Sequence, residues 1–333
     1  MIFVLALVLQ LPQLPQLPNS LPPKPPKPPP APPAAWLALI GAYAAEHDTL
    51  YVYEDRGALA LLVKPAAPAH VVQTSESVFT FTGPRIYDAE RVVFRAGEIE
   101  VGRVTLHRLA MGPADGGQLR LQPVRPVAEL LQMDRRLTPP AESRAFLAPD
   151  LIEPARLDST IHLDVRYATT NNFLGSVFYS SVHAFLQRPA AQALVRAARA
   201  LSPLGYGLLI HDAYRPWYVT KVFWDATPPQ SRWLVADPGR GSKHNRGAAV
   251  DITLYDLATG QPVEMPSTYD EATPRAVADF PGGTSRQRWH RALLRRVLEA
   301  QGFTVNPSEW WHFDYRDWQR YPILNRTFED LLR

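Results

Sequence analysis

Apolar and polar positions follow different periods in different parts of the chain. Residues 1 to 11, Met-Ile-Phe-Val-Leu-Ala-Leu-Val-Leu-Gln-Leu, form an apolar run too short to cross a bilayer as a helix. Residues 36 to 130 break into short runs. Leu50 to Tyr53 and Ala58 to Val63 flank Glu54-Asp55-Arg56-Gly57, a hairpin signal. Val78 to Phe81, Arg91 to Phe94 and Val101 to Leu109 follow, the last alternating Val101, Arg103, Thr105 and His107. Short alternating runs of this kind predict a small antiparallel β domain. Further on the period lengthens. Pro189 opens a helix through Ala200, because proline is tolerated in a first helical turn. Leu208 to Ile210 reads as a buried strand. Thr284 is a fair N-cap for a long helix whose Trp289, Leu293, Leu294, Val297 and Leu298 share one face and which Gly302 ends. The arginines of that helix, Arg288, Arg291, Arg295 and Arg296, read as a solvated face.

Composition sharpens this outline. A chain of 333 residues with 46% hydrophobic content can bury a sizeable core and has room for two domains. The net charge of +3 is small for the length and basic residues are scattered among acids, so no nucleic-acid footprint stands out. With no cysteine, disulfides, cysteine metal sites and thiol catalysis are excluded. Of the 34 prolines, most of the excess lies in one early tract, Leu-Pro-Gln repeats followed by Pro-Pro-Lys units. Such a tract adopts extended polyproline II and spaces rather than folds. The organisation expected is a signal segment over 1–20, a proline-rich linker over 21–35, a β-rich accessory domain over 36–130 and a catalytic domain over 145–325. The apolar start suits the core of a secretory signal, although no basic residue precedes it. An exported protein, periplasmic or secreted, is therefore expected. No later segment is apolar enough to span a membrane.

Candidate chemistry lies in two late segments. The first is Gly241-Ser242-Lys243-His244-Asn245-Arg246-Gly247-Ala248-Ala249-Val250-Asp251, where Gly247 lets the backbone turn so that His244 and Asp251 can converge. The second is Ser308-Glu309-Trp310-Trp311-His312-Phe313-Asp314-Tyr315. Catalytic zinc takes three protein ligands and leaves a position for water, whose proton a nearby carboxylate accepts. His244, Asp251 and His312 supply such a set, one zinc per chain, with Glu309 as the base. Each segment also has a plainer reading. An isolated histidine is more often a satisfied polar residue, and an aromatic block fits a core strand with its polar residues in solvent.

Taken together, Ser242, His244, Gly247, Ala249 and Asp251 followed by Glu309, Trp311 and His312 resemble the zinc D-Ala-D-Ala peptidases, which group D,D-carboxypeptidases with D,D-dipeptidases. A third segment, Gly205-Tyr206-Gly207-Leu208-Leu209-Ile210-His211-Asp212-Ala213-Tyr214-Arg215-Pro216, is similar to the dipeptidase branch found in vancomycin resistance. Asp164 to Gly175 looks like that family's opening segment, with an Asn-Phe-x-Gly loop over the site. The resemblance covers about residues 145 to 325. It implies an α+β fold with a central antiparallel sheet of the peptidase and hedgehog type, and zinc-dependent hydrolysis of a small D,D-dipeptide in cell-wall turnover. It implies Arg215 as the oxyanion partner and Asp270, with Glu271 as substitute, facing the substrate ammonium. Ser242 would be a hydrogen-bond donor to substrate. Here Ala272-Thr273-Pro274 follows, where the family carries further acidic and aromatic residues. A carboxypeptidase on peptidoglycan stem peptides is the alternative, and a non-catalytic module on the same zinc scaffold the second.

Overall fold

The computed structural model describes residues 27–46, 48–111 and 119–333. The expected signal segment and residues 21–26 of the expected linker lie outside the described residues. The last linker residues already belong to folded structure. Ala34 and Ala35 open a one-turn helix, α1 (Ala34–Leu37), and the Pro29 carbonyl accepts a hydrogen bond from Arg286 Nε at 2.9 Å.

Eight strands follow: β1 (Gly41–Ala45), β2 (Asp48–Asp55), β3 (Ala58–Val63), β4 (Ala69–Gln73), β5 (Val78–Phe81), β6 (Arg91–Arg95), β7 (Glu98–Val101) and β8 (Val104–Arg108). They form an antiparallel barrel closed by pairing of β1 with β8. The expected hairpin is β2–β3. Its two-residue loop, Arg56-Gly57, has φ of 52° and 86°, the positive angles that a type I′ turn requires. The run from Val101 to Leu109, expected as one strand, is cut in two. Gly102 has φ of 63° and turns β7 into β8. The inward residues Leu50, Val52, Leu61, Phe79, Val92 and Ile99 are fully buried; a barrel this small is filled by its own side chains.

The rest of the chain forms an α+β unit. Its elements are α2 (Val127–Asp134), β9 (Leu151–Ile152), β10 (Ile161–Leu163), β11 (Leu186–Gln187), α3 (Arg188–Leu201), β12 (Tyr206–Asp212), α4 (Trp217–Ala226), β13 (Ala249–Asp256), α5 (Ser285–Glu299), β14 (Phe303–Asn306), β15 (Glu309–Tyr315) and α6 (Phe328–Leu331). The main sheet has the order β10-β12-β13-β15-β14. It was expected to be antiparallel, and four of its strands are. The edge strand β10 runs parallel to β12, so the sheet is mixed. The sequence reading ran the accessory domain to residue 130, whereas the barrel closes at Arg108 and α2 buries Val127 and Leu130 in one cluster with Val219 and Phe223 of α4.

β12 and β13 are buried along their whole length apart from Asp256, which explains their nearly continuous apolar sequence. On one side α3 and α5 cover the sheet, placing Leu194, Ala198, Leu294 and Val297 against Leu208, Ile252 and Leu254. Helix α3 starts with Pro189 in its first turn. In α5, Thr284 accepts from the Gln287 N–H while the Gln287 side chain accepts from the Thr284 N–H. This reciprocal cap satisfies two otherwise orphaned donors. The arginines of α5 are not uniformly solvated. Arg288 reaches the barrel, where its Nη2 donates to the Glu54 carbonyl at 2.7 Å and its guanidinium lies over the Tyr53 ring. Burial brings the Arg291 pKa down to about 10, and its Nη1 has no hydrogen-bond partner among the described residues. Arg295 pairs with Asp279 and Glu299, and Arg296 is exposed.

Gly207 shows how tightly the sheet is filled. It sits opposite Tyr255 across the β12–β13 ladder, and a Cβ there would fall 2.3 Å from Tyr255 Cε1. Tyr255 is itself stacked on His162, with ring centroids 4.3 Å apart. Gly207→Ala should therefore destabilise the protein by roughly 1–3 kcal/mol through overpacking. A urea titration followed by tryptophan fluorescence reads this as a lowered midpoint; an unchanged midpoint would show that Tyr255 yields freely.

Candidate metal centre

Neighbouring strands place the central side chains in a row. Asp212 at the end of β12 pairs in register with Asp251 of β13, which pairs with His312 of β15. A register shift between Ile210 and Asp212 lets Asp212 fall opposite Asp251. His244 joins from the tight turn before β13. Gly247 turns that segment back with φ of 64°, and a side chain there would strike Leu151 at 2.3 Å. Glycine is thus required twice over, by its backbone angle and by its neighbour.

His244 Nε2 lies 3.1 Å from His312 Nδ1 and 3.4 Å from Asp251 Oδ1, while His312 Nδ1 is 3.0 Å from the same oxygen. The outer ring nitrogens are already assigned. His244 Nδ1 is 2.7 Å from the Ala213 carbonyl, which can only accept, so that nitrogen carries hydrogen and Nε2 presents a lone pair. His312 Nε2 is 2.9 Å from Asp314 Oδ1, leaving Nδ1 of the neutral ring as an inward acceptor. Two imidazole lone pairs and a carboxylate oxygen facing one another repel unless positive charge sits among them. Two nitrogens and one oxygen suit a borderline divalent ion such as zinc, so these residues fit a metal. The titration of the groups carries the same demand. Burial alone would lower the pKa of His312, but its hydrogen bonds to Asp251 and Asp314 and the charges of Asp251 and Glu309 lift it to about 10. Burial pushes Asp251 up, yet His244 and His312 hold it well below the usual carboxylate range.

A further layer orients each ligand. Tyr269 donates its hydroxyl to Asp251 Oδ2 at 2.9 Å. Asp314, buried, takes the His312 ring on one oxygen and Lys243 Nζ on the other. Carboxylate partners behind ligating histidines fix the ring and raise its basicity.

A cleft of about 750 Å³ opens over this centre. Glu309 lines it, 3.8 Å from His312 Nδ1, and accepts from Asn306 Nδ2 at 3.0 Å. Strict alternation would put residues three apart on opposite faces of a strand. A break in the β14–β15 register, between the pairs Val305–Phe313 and Asn306–Glu309, brings Glu309 and His312 to the same side. Burial at the foot of the cleft raises the Glu309 pKa above the ordinary carboxylate value.

Arg215 also lines the cleft, buried, with Nε and Nη2 donating to Asp212 Oδ2 at 3.0 and 2.7 Å. Its guanidinium lies 5.2 Å from the Tyr167 ring centroid and 4.8 Å from that of Phe223. Asp270 faces the same space. Burial first, then the charges of Asp251 and Glu309, push its pKa well above the usual range, and Tyr167 donates to it at 3.1 Å.

The other sequence candidates are placed differently. Glu271 is buried with both oxygens engaged, by Arg275, Thr268 and Thr273, so it braces the loop and has no oxygen free for a ligand. Ser242 Oγ accepts the His244 N–H at 3.2 Å, steadying the turn that carries the ligand. In the Asn-Phe-Leu-Gly segment, Asn172 ties its turn to three backbone carbonyls and Phe173 lines the cleft. Sequence reasoning missed the roles of Asp212, Tyr269 and Asp314. Only the last left a signal, lying two residues beyond His312 on the same face of one strand.

A family model described as D-ala-D-ala dipeptidase matches residues 150–332. Several relatives carry the name D-alanyl-D-alanine dipeptidase. That of Escherichia coli (strain K12) is 32% identical over 180 residues, 54% of this chain and 91% of the relative. That of Enterococcus faecium is 33% identical over 190 residues, 50% of this chain and 92% of the relative. That of Streptomyces coelicolor is 32% identical over 179 residues, 48% of this chain and 89% of the relative. The family match leaves the barrel outside.

The carboxylate behind His312 makes a measurable difference. Asp314→Asn should keep the fold but weaken metal binding by about 10- to 100-fold, the cost typical of an orienting partner. His244→Ala and His312→Ala should lose the metal altogether. Competition with a chromogenic chelator measures all three. Native affinity in Asp314→Asn would show that the ring is held by packing alone, and full metal content in either alanine variant would exclude that histidine as a ligand.

Proposed function

Because the chain belongs to the D-ala-D-ala dipeptidase family of metal-dependent peptidases, we propose that it is a zinc enzyme that hydrolyses free D-Ala-D-Ala in cell-wall peptide turnover. The observation that carries this reading is the meeting of four functions in one cleft: the His244–Asp251–His312 donor set, the Glu309 carboxylate, the buried Arg215 guanidinium and the Asp270 carboxylate. Export, read from the apolar run at residues 1–11, is part of the same proposal.

His244, Asp251 and His312 would hold one zinc ion, whose chemistry when bound is to polarise a carbonyl and to lower the pKa of bound water to about 7. Glu309 takes the proton of the attacking water on its carboxylate and later delivers it to the nitrogen of the leaving amine. Its raised pKa suits both halves of that exchange. Arg215 stands ready for the negative oxygen of the tetrahedral intermediate. Asp212 holds the guanidinium from behind, and the Tyr167 and Phe223 rings flank it, so no reorganisation is needed when charge develops. A dipeptide also brings a free ammonium. Asp270 lies in a part of the cleft already crowded with carboxylate charge, where a cation is the natural partner, and Tyr167 holds it in place.

Glu309→Gln should retain metal and fold while losing about 10²- to 10⁴-fold in kcat, the usual worth of a general base. Release of D-alanine measured beside metal content tests this, and near-native kcat would make Glu309 structural. Blocking the ammonium tests the other end. N-acetyl-D-Ala-D-Ala should be a poorer substrate than the free dipeptide by on the order of tenfold or more, since a charge-assisted contact is worth roughly 1.5–3 kcal/mol. Asp270→Asn should narrow that gap. Equal cleavage of the acetylated dipeptide, or of a stem pentapeptide, would favour the carboxypeptidase instead.

A further inference from the structure

The barrel lies outside the family match, yet it is fastened to the segment that carries the substrate-facing wall. Residues 266–284 leave the metal centre and end at the start of α5, with one helical turn at Pro274–Ala276. At the near end, Ser267 Oγ accepts from Trp310 Nε1 at 2.7 Å and Tyr269 bonds Asp251. Asp270 then takes φ of 58°, a left-handed backbone that a non-glycine residue keeps only where its surroundings hold it. At the far end the holding groups belong to the barrel. Glu54, 2% exposed, receives the Ser285 N–H at 2.6 Å and the Gly57 N–H at 2.7 Å. Its own N–H donates to the Gly283 carbonyl at 3.1 Å. A carboxylate at the first residue of a helix also meets the positive end of the helix dipole. Arg288 returns the contact from α5 to the Glu54 carbonyl, and Tyr51 meets Phe280 edge to face at 5.9 Å.

We propose that the barrel is a positioning domain: by clamping Gly283, Ser285 and Phe280 it holds the 266–284 segment in the conformation that presents Asp270 to the substrate. Glu54 and Arg288 act through that segment and touch no substrate. The kinetic half of this proposal rests on the dipeptidase reading; the structural half does not.

The test uses the full chain with Glu54→Ala and, should that variant fail to fold, Arg288→Met, which leaves the Glu54 carboxylate on Ser285. Hydrogen exchange is read first. The expected result is loss of protection through 266–284 while β12, β13 and β15 and the metal content stay native. Kinetics are read second. If the competent conformation falls to about one tenth, KM for the free dipeptide rises about tenfold, kcat holds within about twofold, and discrimination against the acetylated dipeptide shrinks. Glu54→Gln, which keeps an acceptor oxygen, should recover part of both losses. Faster exchange at Ser285 with 266–284 still protected and KM unchanged would overturn the proposal and leave the barrel a spacer. If no variant, nor the native chain, hydrolyses the dipeptide, the functional reading fails while the exchange result still decides the positioning role.

Discussion

Two imidazole nitrogens and a carboxylate oxygen converge at 3.0 to 3.4 Å in a buried place, where they repel unless a proton or another cation sits among them, and the second domain is built to hold them there. Each of these groups is held from behind: His244 by the Ala213 carbonyl, His312 by the Asp314 carboxylate, Asp251 by the Tyr269 hydroxyl. The pinning groups are pinned in turn, Asp314 by Lys243 and Tyr269 by its contact with Tyr167 at 3.3 Å. Positive charge at the convergence point turns the mutual repulsion into attraction. The fold has therefore gathered a donor set that fits a metal before any substrate arrives.

The same economy governs the charges of the cleft. Asp251, Asp270 and Glu309 crowd one region and Arg215 faces them from another. Left alone, buried like charges would protonate or drive the structure apart. Here Asp212 neutralises the back of Arg215 while the tyrosine and phenylalanine rings take its faces. Stability and function draw on one network, so substitutions around it are not expected to add independently.

How much of this could be read from the chain depends on how local each feature is. That His244, Asp251, His312 and Glu309 belong together was legible because each pair lies within one short segment of characteristic composition. Leu208–Ile210 was legible as a buried strand because it is apolar without interruption, and α5 because Thr284 marks its start and one face is apolar. What stayed hidden depended on register. That Glu309 and His312 share a side follows from a break in the β14–β15 ladder, and that Asp212 stands beside Asp251 follows from a shift in the β12–β13 ladder; neither shift leaves a mark in composition. The arginines of α5 misled for the opposite reason. Their spacing describes an exposed face, and it is the barrel, meeting Arg288 from more than 200 residues away in sequence, that takes this one arginine out of solvent. Glu271 illustrates a third limit, since its type and place fitted an ammonium site while Arg275, four residues on, had already claimed it.

Closure of the barrel through β1 and β8 has a mechanical side. These are its first and last strands, paired antiparallel with Tyr43 beside Arg108, so the chain enters and leaves at the same end. Tension drawn between the proline tract and the peptidase domain would load the β1–β8 ladder one pair at a time, as in opening a zip, rather than shearing all pairs at once. Beyond the bond of Arg286 to the Pro29 carbonyl, the bonds that meet it next are those of Arg108, which grips the entering chain at the Ala38 and Ile40 carbonyls. The barrel core lies out of the line of force, and a pull on the entering chain would peel the entry strand while the remaining strands keep their pairing.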